Sequence, residues 1–204
     1  GDEGKGKITD LISGGFDVVC RYGGGANAGH SVVANGHHLA LHQIPSGIVH
    51  EGVLSVIGNG CIVDPTVMFE EVDTLQAQGL DCAGLRISGN AHLVLPYHKD
   101  LDGAHEAALG ENLIGTTKRG IGPTYMDKMN RTGIRIQDML DDDLFREKLE
   151  AALAYQNPIL EKVYGLPTYT VDQICENYLP YDERMRPYIV ESSKLLNELL
   201  DEGK

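Results

Sequence analysis

The sequence predicts an α/β protein: a P-loop-type, mainly parallel sheet with flanking helices, followed by a mostly helical C-terminal portion. Three observations carry this. Gly1-Asp2-Glu3-Gly4-Lys5-Gly6-Lys7 has the Gly-x-x-x-x-Gly-Lys spacing of a phosphate-cradling loop. The apolar run from Phe16 to Cys20 leads into Gly23-Gly24-Gly25-Ala26-Asn27-Ala28-Gly29-His30. That order reads as a strand ending in a glycine-rich loop, the place where open α/β sheets put ligands. From Asp141 onward the chain reads as mostly helical, broken at Pro158, Pro167, Pro180 and Pro187.

Each element has its own signal. Residues 5–13 read as the helix after the phosphate loop, with Ile8, Leu11 and Ile12 on one face and Gly14-Gly15 as its stop. Residues 16–21 read as a buried strand. Residues 31–42 read as a hairpin, because Asn35-Gly36 is a strong turn signal between apolar runs. Residues 54–57 and 61–63 flank the short turn Gly58-Asn59-Gly60. Asp64 and Pro65 open a helix running to about Gln78, closed by Gly79. Short strands follow at 85–87 and 93–95, then a helix over 97–109. Residues 111–131 read as a long loop rich in glycine and threonine, of the kind that carries function. It contains Gly115-Thr116-Thr117-Lys118-Arg119-Gly120-Ile121-Gly122-Pro123, with Arg131 shortly after. Asp141-Asp142-Asp143 starts a helix with acids at its positive end.

Composition narrows the function classes. The 204 residues are 42% apolar, enough for a packed core and against disorder. A formal net charge of -13 argues against nonspecific binding of nucleic acid, which needs a basic footprint. It is compatible with a nucleotide site, because a few local N–H groups and lysines hold phosphate in an acidic protein. Cys20, Cys61, Cys82 and Cys175 are scattered without a C-x-x-C pair, which favours buried thiols over disulfides or zinc. No apolar run is long enough to span a bilayer and no signal peptide is visible, so a cytoplasmic location is the default.

The chemistry of the glycine-rich stretches is specific. Glycines let the backbone turn tightly enough to aim several N–H groups at one anion. Lys7 adds a point charge for terminal phosphates. Ile8 stands where Ser or Thr would ordinarily hold magnesium, so another residue must supply that ligand. Asp2 and Glu3 beside a polyanion cost binding unless they face a metal or a proton to be removed. Asn27 offers a donor and acceptors, and His30 titrates near neutrality. His37, His38 and His42 suggest a metal cluster, but a solvated hairpin face is the better reading without a fourth partner.

Taken together these stretches resemble the adenylosuccinate synthetase family. GDEGKGK, RYGGGANAGH, LHQIPSGI, IGNG, GTTKRGIGP and DKMNRTG occur in the family's order between Gly1 and about Gly133. The resemblance weakens from Ile134 onward. It implies GTP-dependent ligation of IMP and L-aspartate to adenylosuccinate through a 6-phosphoryl-IMP intermediate, with GDP and phosphate released. It implies a GTP site at Gly1, Asp2, Glu3, Gly4, Lys5, Gly6, Lys7, Gly29, His30 and Ser31. The implied IMP site is Asp2, Glu3, Gly4, Lys5, Asn27, Ala28, Gly29, His30, Thr117 and Arg131. Asp2 would be the catalytic base and His30 the general acid. Mg2+ would be held by Asp2 and the backbone carbonyl of Gly29. Arg131 would reach across a homodimer interface.

The family's chains are roughly twice this long. The resemblance therefore implies an interior piece, residues 1–204 forming part of a GTP/IMP-binding catalytic domain with a helical subregion at 141–204, and inactive alone. Two other readings stay open: a GTP-binding switch module, and another P-loop kinase or ligase using ATP. The switch module does not account for Asn27-Ala28-Gly29-His30 or the Thr117 loop, whereas the ligase reading does.

Overall fold

The computed structural model describes residues 5–27, 29–34, 37–112 and 114–204, with backbone alone for 5–7, 30, 33, 34, 37 and 38. The chain divides into two compact units, Gly1–Ala91 with Tyr188–Lys204, and His92–Pro187.

The first unit is built on a parallel sheet. Its strands are β1 (Val18–Arg21), β4 (Leu54–Ile57), β6 (Leu85–Ser88) and β8 (Ile189–Val190), side by side in that order. Val18 pairs with Leu54, Ser55 with Leu85, and Ile87 with Ile189. Val56, Ile57, Leu85 and Ile87 are fully buried, as strands covered on both faces require. Between β1 and β4 the chain makes the predicted hairpin of β2 (His30–Ala34) and β3 (His37–Leu41), antiparallel with His30 opposite Leu41. A 3-10 turn, Ser46–Val49, follows. Between β4 and β6 come the short β5 (Ile62–Val63) and the helix α2 (Pro65–Ala77). Asp64 caps α2 by accepting the Thr66 N–H at 3.2 Å, and Gly79 takes φ +78° just past its end. The helix α1 (Lys5–Ser13) packs on β2 and the Ser46–Val49 turn. The closing helix α8 (Ser192–Asp201) packs on β6.

The second unit is mostly helical. After β7 (His92–Leu93) it comprises α3 (Pro96–Ala108), α4 (Ile121–Asn130), α5 (Asp142–Tyr164), α6 (Val171–Tyr178) and the single turn α7 (Asp182–Met185). Its core holds Tyr97, Phe145, Leu149, Leu160 and Ile174. Asp141 caps α5 through the Leu144 N–H, as the acidic run predicted. Among the described residues no helix is long and apolar enough to cross a membrane.

Three sequence-based expectations need correction. The strand at 16–21 is not buried: β1 is the edge of the sheet, Cys20 is exposed and Phe16 is 58% exposed. The loop predicted over 111–131 is shorter, because α4 forms from Ile121. Gly122 and Pro123 in its first turn read as loop, yet proline fits the first turn of a helix, where no N–H partner is needed. Pro158 does not break α5. The carbonyl it leaves without a helical partner is that of Ala154, a residue on the exposed side of the helix, where an unpaired carbonyl costs less than it would in the core. The C-terminal part is mostly helical as expected, and the two-residue strand β8 (Ile189–Val190) is its one unforeseen element. The face of Ile8, Leu11 and Ile12 on α1 exists, and all three are more than half exposed.

Candidate functional site

In the first unit the second glycine-rich cluster leaves the carboxyl end of β1. Gly24 bridges Cys61 in parallel, the Ile62 N–H donates to the Gly24 carbonyl at 3.0 Å, and the Gly58 N–H donates to the Arg21 carbonyl at 2.8 Å. The loop after β1 thus lies against the turn after β4, both at carboxyl ends of parallel strands, where such sheets bind ligands. The turn needs its glycines for packing. A Cβ on Gly60 would strike the Tyr22 carbonyl oxygen, and one on Gly58 would stand 3.1 Å from the Arg21 carbonyl oxygen.

Two charged residues hold this loop, and sequence reasoning gave neither a role. The Arg21 guanidinium donates to four main-chain carbonyls: Gly23 at 3.2 Å, Gly25 at 2.5 Å, His42 at 2.6 Å and Gln43 at 3.3 Å. Glu71 of α2, only 7% exposed, accepts the N–H groups of His42 at 2.8 Å, Gln43 at 3.0 Å and Ile44 at 3.0 Å. Burial pushes the Glu71 carboxyl above its usual range, while those N–H groups and His42 pull it down. One peptide segment, 42–44, is therefore gripped on its carbonyls by a cation and on its amides by an anion. The available signals were an arginine ending an apolar strand and a glutamate within the buried face of α2. Both need partners in a folded protein.

The predicted residues of this unit fall as follows. Gly1, Asp2, Glu3, Gly4 and Ala28 lie outside the described residues, as do the side chains of Lys5, Lys7 and His30. The backbone puts Lys5, Gly6 and Lys7 in the first turn of α1 and His30 at the start of β2, against which α1 packs. Asn27 is exposed, and its Oδ1 accepts the Gly25 N–H at 3.4 Å. Gly29 is exposed and a Cβ there would stand 2.9 Å from His42 Nε2, so the His42 ring lies against the residue preceding His30. Ser31 is exposed on β2. A cavity of about 470 Å³ opens between α1 and this loop, lined by Thr9, Cys20, Arg21, Gly23, Gly24 and Ser46. Among the described residues Ser46 Oγ is buried there without a hydrogen-bond partner.

The second unit carries Thr117 and Arg131. Thr117 is exposed in the loop before α4. Arg131 is exposed at the far end of α4 with φ +64°, the left-handed position that glycine ordinarily fills. Because α4 has 10 residues, roughly 15 Å of helix separates the two. Arg131 borders a hollow of about 240 Å³ with Lys148, Tyr155 and Gln156. Among the described residues no group of three or more His, Cys, Asp or Glu could hold a metal.

A parallel sheet with glycine-rich loops at the carboxyl ends of its strands, and a helix whose first turn carries the Gly6-Lys7 end of a Gly-x-x-x-x-Gly-Lys sequence, defines a P-loop-type α/β protein. The comparisons with known proteins go further. The family model of adenylosuccinate synthetase matches residues 1–204, and the chain belongs to that family. Adenylosuccinate synthetase of Thermobifida fusca is 55% identical over 204 residues, covering 100% of this chain and 48% of the relative. That of Symbiobacterium thermophilum is 54% identical, covering 100% and 47%. Among solved structures, fully ligated adenylosuccinate synthetase from Plasmodium falciparum superposes with TM-score 0.86 at 33% identity, over 100% of this chain and 47% of that one. The chain thus spans about half the length of the relatives it matches.

Proposed function

We propose that this chain carries the phosphoryl-transfer half of a GTP-dependent ligase that joins IMP and L-aspartate to form adenylosuccinate. The observation that supports it most is the family match across the whole chain, read with the loops at the carboxyl ends of the sheet. In this reading the Asp2 carboxylate takes the N1 proton of IMP. The O6 of IMP attacks the γ-phosphorus of GTP, and the bond from that phosphorus to the bridging oxygen breaks, releasing GDP. The amino nitrogen of L-aspartate then attacks C6, and phosphate leaves. His30 donates a hydrogen bond to oxygen that gains negative charge during the transfer, the role of a general acid. The α1 N-terminus, with Lys5 and Lys7, receives the phosphates of the nucleotide.

An Asp2 carboxylate with the Gly29 carbonyl is an all-oxygen donor pair, which suits a hard cation such as Mg2+. When bound, such a cation would neutralise charge on the transferring phosphate. The length of α4 supports a role for Arg131 in a neighbouring subunit. Thr117 lies in the loop before that helix and Arg131 just past its far end, an arrangement that fits contacts to the phosphates of two different sites.

His30→Asn tests the reading. It should slow turnover about a hundredfold while leaving the KM for GTP within about threefold, because it acts on charge formed in the transition state. A defect confined to the KM for GTP would contradict it. A second donor is worth testing. A cyanophage S-2L succinoaminodeoxyadenylate synthetase, 30% identical over 64% of this chain with TM-score 0.50, was solved with dGMP and with dATP as its energy donor. Turnover with ATP matching that with GTP would favour an adenine nucleotide here.

A further inference from the structure

We propose that Glu106 and Asp102 of α3 are positioning residues for Thr117, and that His98 of the same helix is one for Arg131. The proposal rests on reading Thr117 and Arg131 as IMP contacts. His98, Asp102 and Glu106 follow at intervals of four, so they form one stripe on α3. They are 1%, 6% and 5% exposed. Three ionisable side chains buried in a row are costly unless each is hydrogen-bonded. Their partners all lie in one stretch of chain, apart from a local tie between His98 and Leu95.

Glu106 accepts the N–H groups of Ile114 at 3.4 Å, Gly115 at 2.6 Å and Thr116 at 3.4 Å. A glycine-rich loop that reads as an anion cradle is thus already wrapped on an internal carboxylate. Asp102 accepts the Gly120 N–H at 3.0 Å. Gly120 has φ +74°, and a Cβ there would stand 2.9 Å from the His98 Cβ and 3.0 Å from the Lys99 nitrogen, so the loop is pressed onto α3 at this point. The two pins leave Thr117, Lys118 and Arg119 as a short tip whose ends are fixed.

His98 extends the same tie to the other end of α4. Its Nδ1 accepts the Leu95 N–H at 2.9 Å, which leaves Nε2 to donate to Asp127 Oδ2 at 3.1 Å. Burial pushes the His98 pKa down against the pull of Asp127. Gln156 of α5 donates to Asp127 as well, at 2.9 Å. The Asp127 carbonyl in turn accepts the N–H groups of Thr132 and Gly133 at 3.0 Å each, closing the left-handed turn that carries Arg131. A ligand phosphate met by Thr117 or Arg131 therefore meets a group whose backbone is set by α3.

The test uses the complete gene product. IMP and GTP binding are measured for Glu106→Gln, Thr117→Val, Arg131→Leu, His98→Gln and the Glu106→Gln/Thr117→Val pair, alongside hydrogen exchange of the amides of 114–120. Glu106→Gln should speed exchange at 114–116 about tenfold and weaken IMP about tenfold, with GTP affinity within about twofold. His98→Gln should likewise weaken IMP selectively. The double variant should bind IMP no more weakly than the worse single variant by more than about twofold, because both act through one group. If Thr117→Val and Arg131→Leu weaken IMP but Glu106→Gln and His98→Gln do not, or weaken both nucleotides alike, the positioning role is overturned and the IMP site stands. If neither Thr117→Val nor Arg131→Leu alters IMP binding, the IMP reading of this unit falls and the inference with it. Glu106→Gln preserves the shape of the side chain, so the result does not depend on a variant that fails to fold.

Discussion

At the residue scale, Arg131 is the most revealing position. A non-glycine residue at φ +64° costs about 1 kcal/mol that glycine would not. Among the described residues its side chain makes no hydrogen bond or ion pair that repays that cost, which fits a side chain kept for a ligand. Arg131→Gly should therefore raise the unfolding free energy by about 0.5–1 kcal/mol, read from urea melts. The same change should weaken IMP by about 2 kcal/mol or more, by loss of a charge-assisted contact to phosphate. A variant that is less stable, or that keeps its IMP affinity, would contradict this. The residues expected to touch ligand stand out in the sequence because glycine spacing, a lysine and a histidine are chemical signals. Arg21, Glu71, Asp102 and Glu106 do not stand out. Each works by accepting or donating main-chain hydrogen bonds 18 to 29 positions away or fewer, and no residue type announces such a partner.

At the element scale, legibility followed local signals. Asp64-Pro65 with Gly79, Asn35-Gly36 and the acids at 141–143 each state a boundary through nearby atoms, and α2, the β2–β3 hairpin and α5 form where expected. What failed depends on distant neighbours. Nothing in two residues, Ile189 and Val190, reveals that they complete a sheet beside β6. Pro158 looked like a breaker because its tolerance depends on which side of α5 faces water. The cap of α6 was also legible in principle: Thr170 accepts the Gln173 N–H at 3.2 Å and Gln173 accepts the Thr170 N–H at 2.9 Å, a reciprocal box. Thr170→Ala should cost about 1 kcal/mol. Hydrogen exchange of the α6 amides should rise accordingly, and unchanged protection there would show that tertiary packing alone holds the helix.

At the scale of the whole molecule, the parallel sheet belongs to a family whose members are about twice the length of this chain, so activity is assayed in the complete gene product. Arg131, roughly 15 Å of helix away from Thr117, predicts that sites are shared between subunits. Mixing an inactive Arg131→Leu protein with an inactive Asp2→Asn protein should restore part of the activity, since some mixed dimers hold one intact site. No recovery, with subunit exchange confirmed separately, would mean that Arg131 serves its own chain or none. The central claim is that Asp2, in the glycine-rich sequence that precedes α1, drives ligation of IMP and L-aspartate. The most direct measurement is the rate of adenylosuccinate formation from IMP, GTP and L-aspartate, in the natural protein and in Asp2→Asn with IMP binding monitored in parallel. The account predicts one phosphate released per adenylosuccinate, and a loss of about a thousandfold or more in Asp2→Asn while IMP still binds. An Asp2→Asn protein that turns over at the natural rate would contradict it.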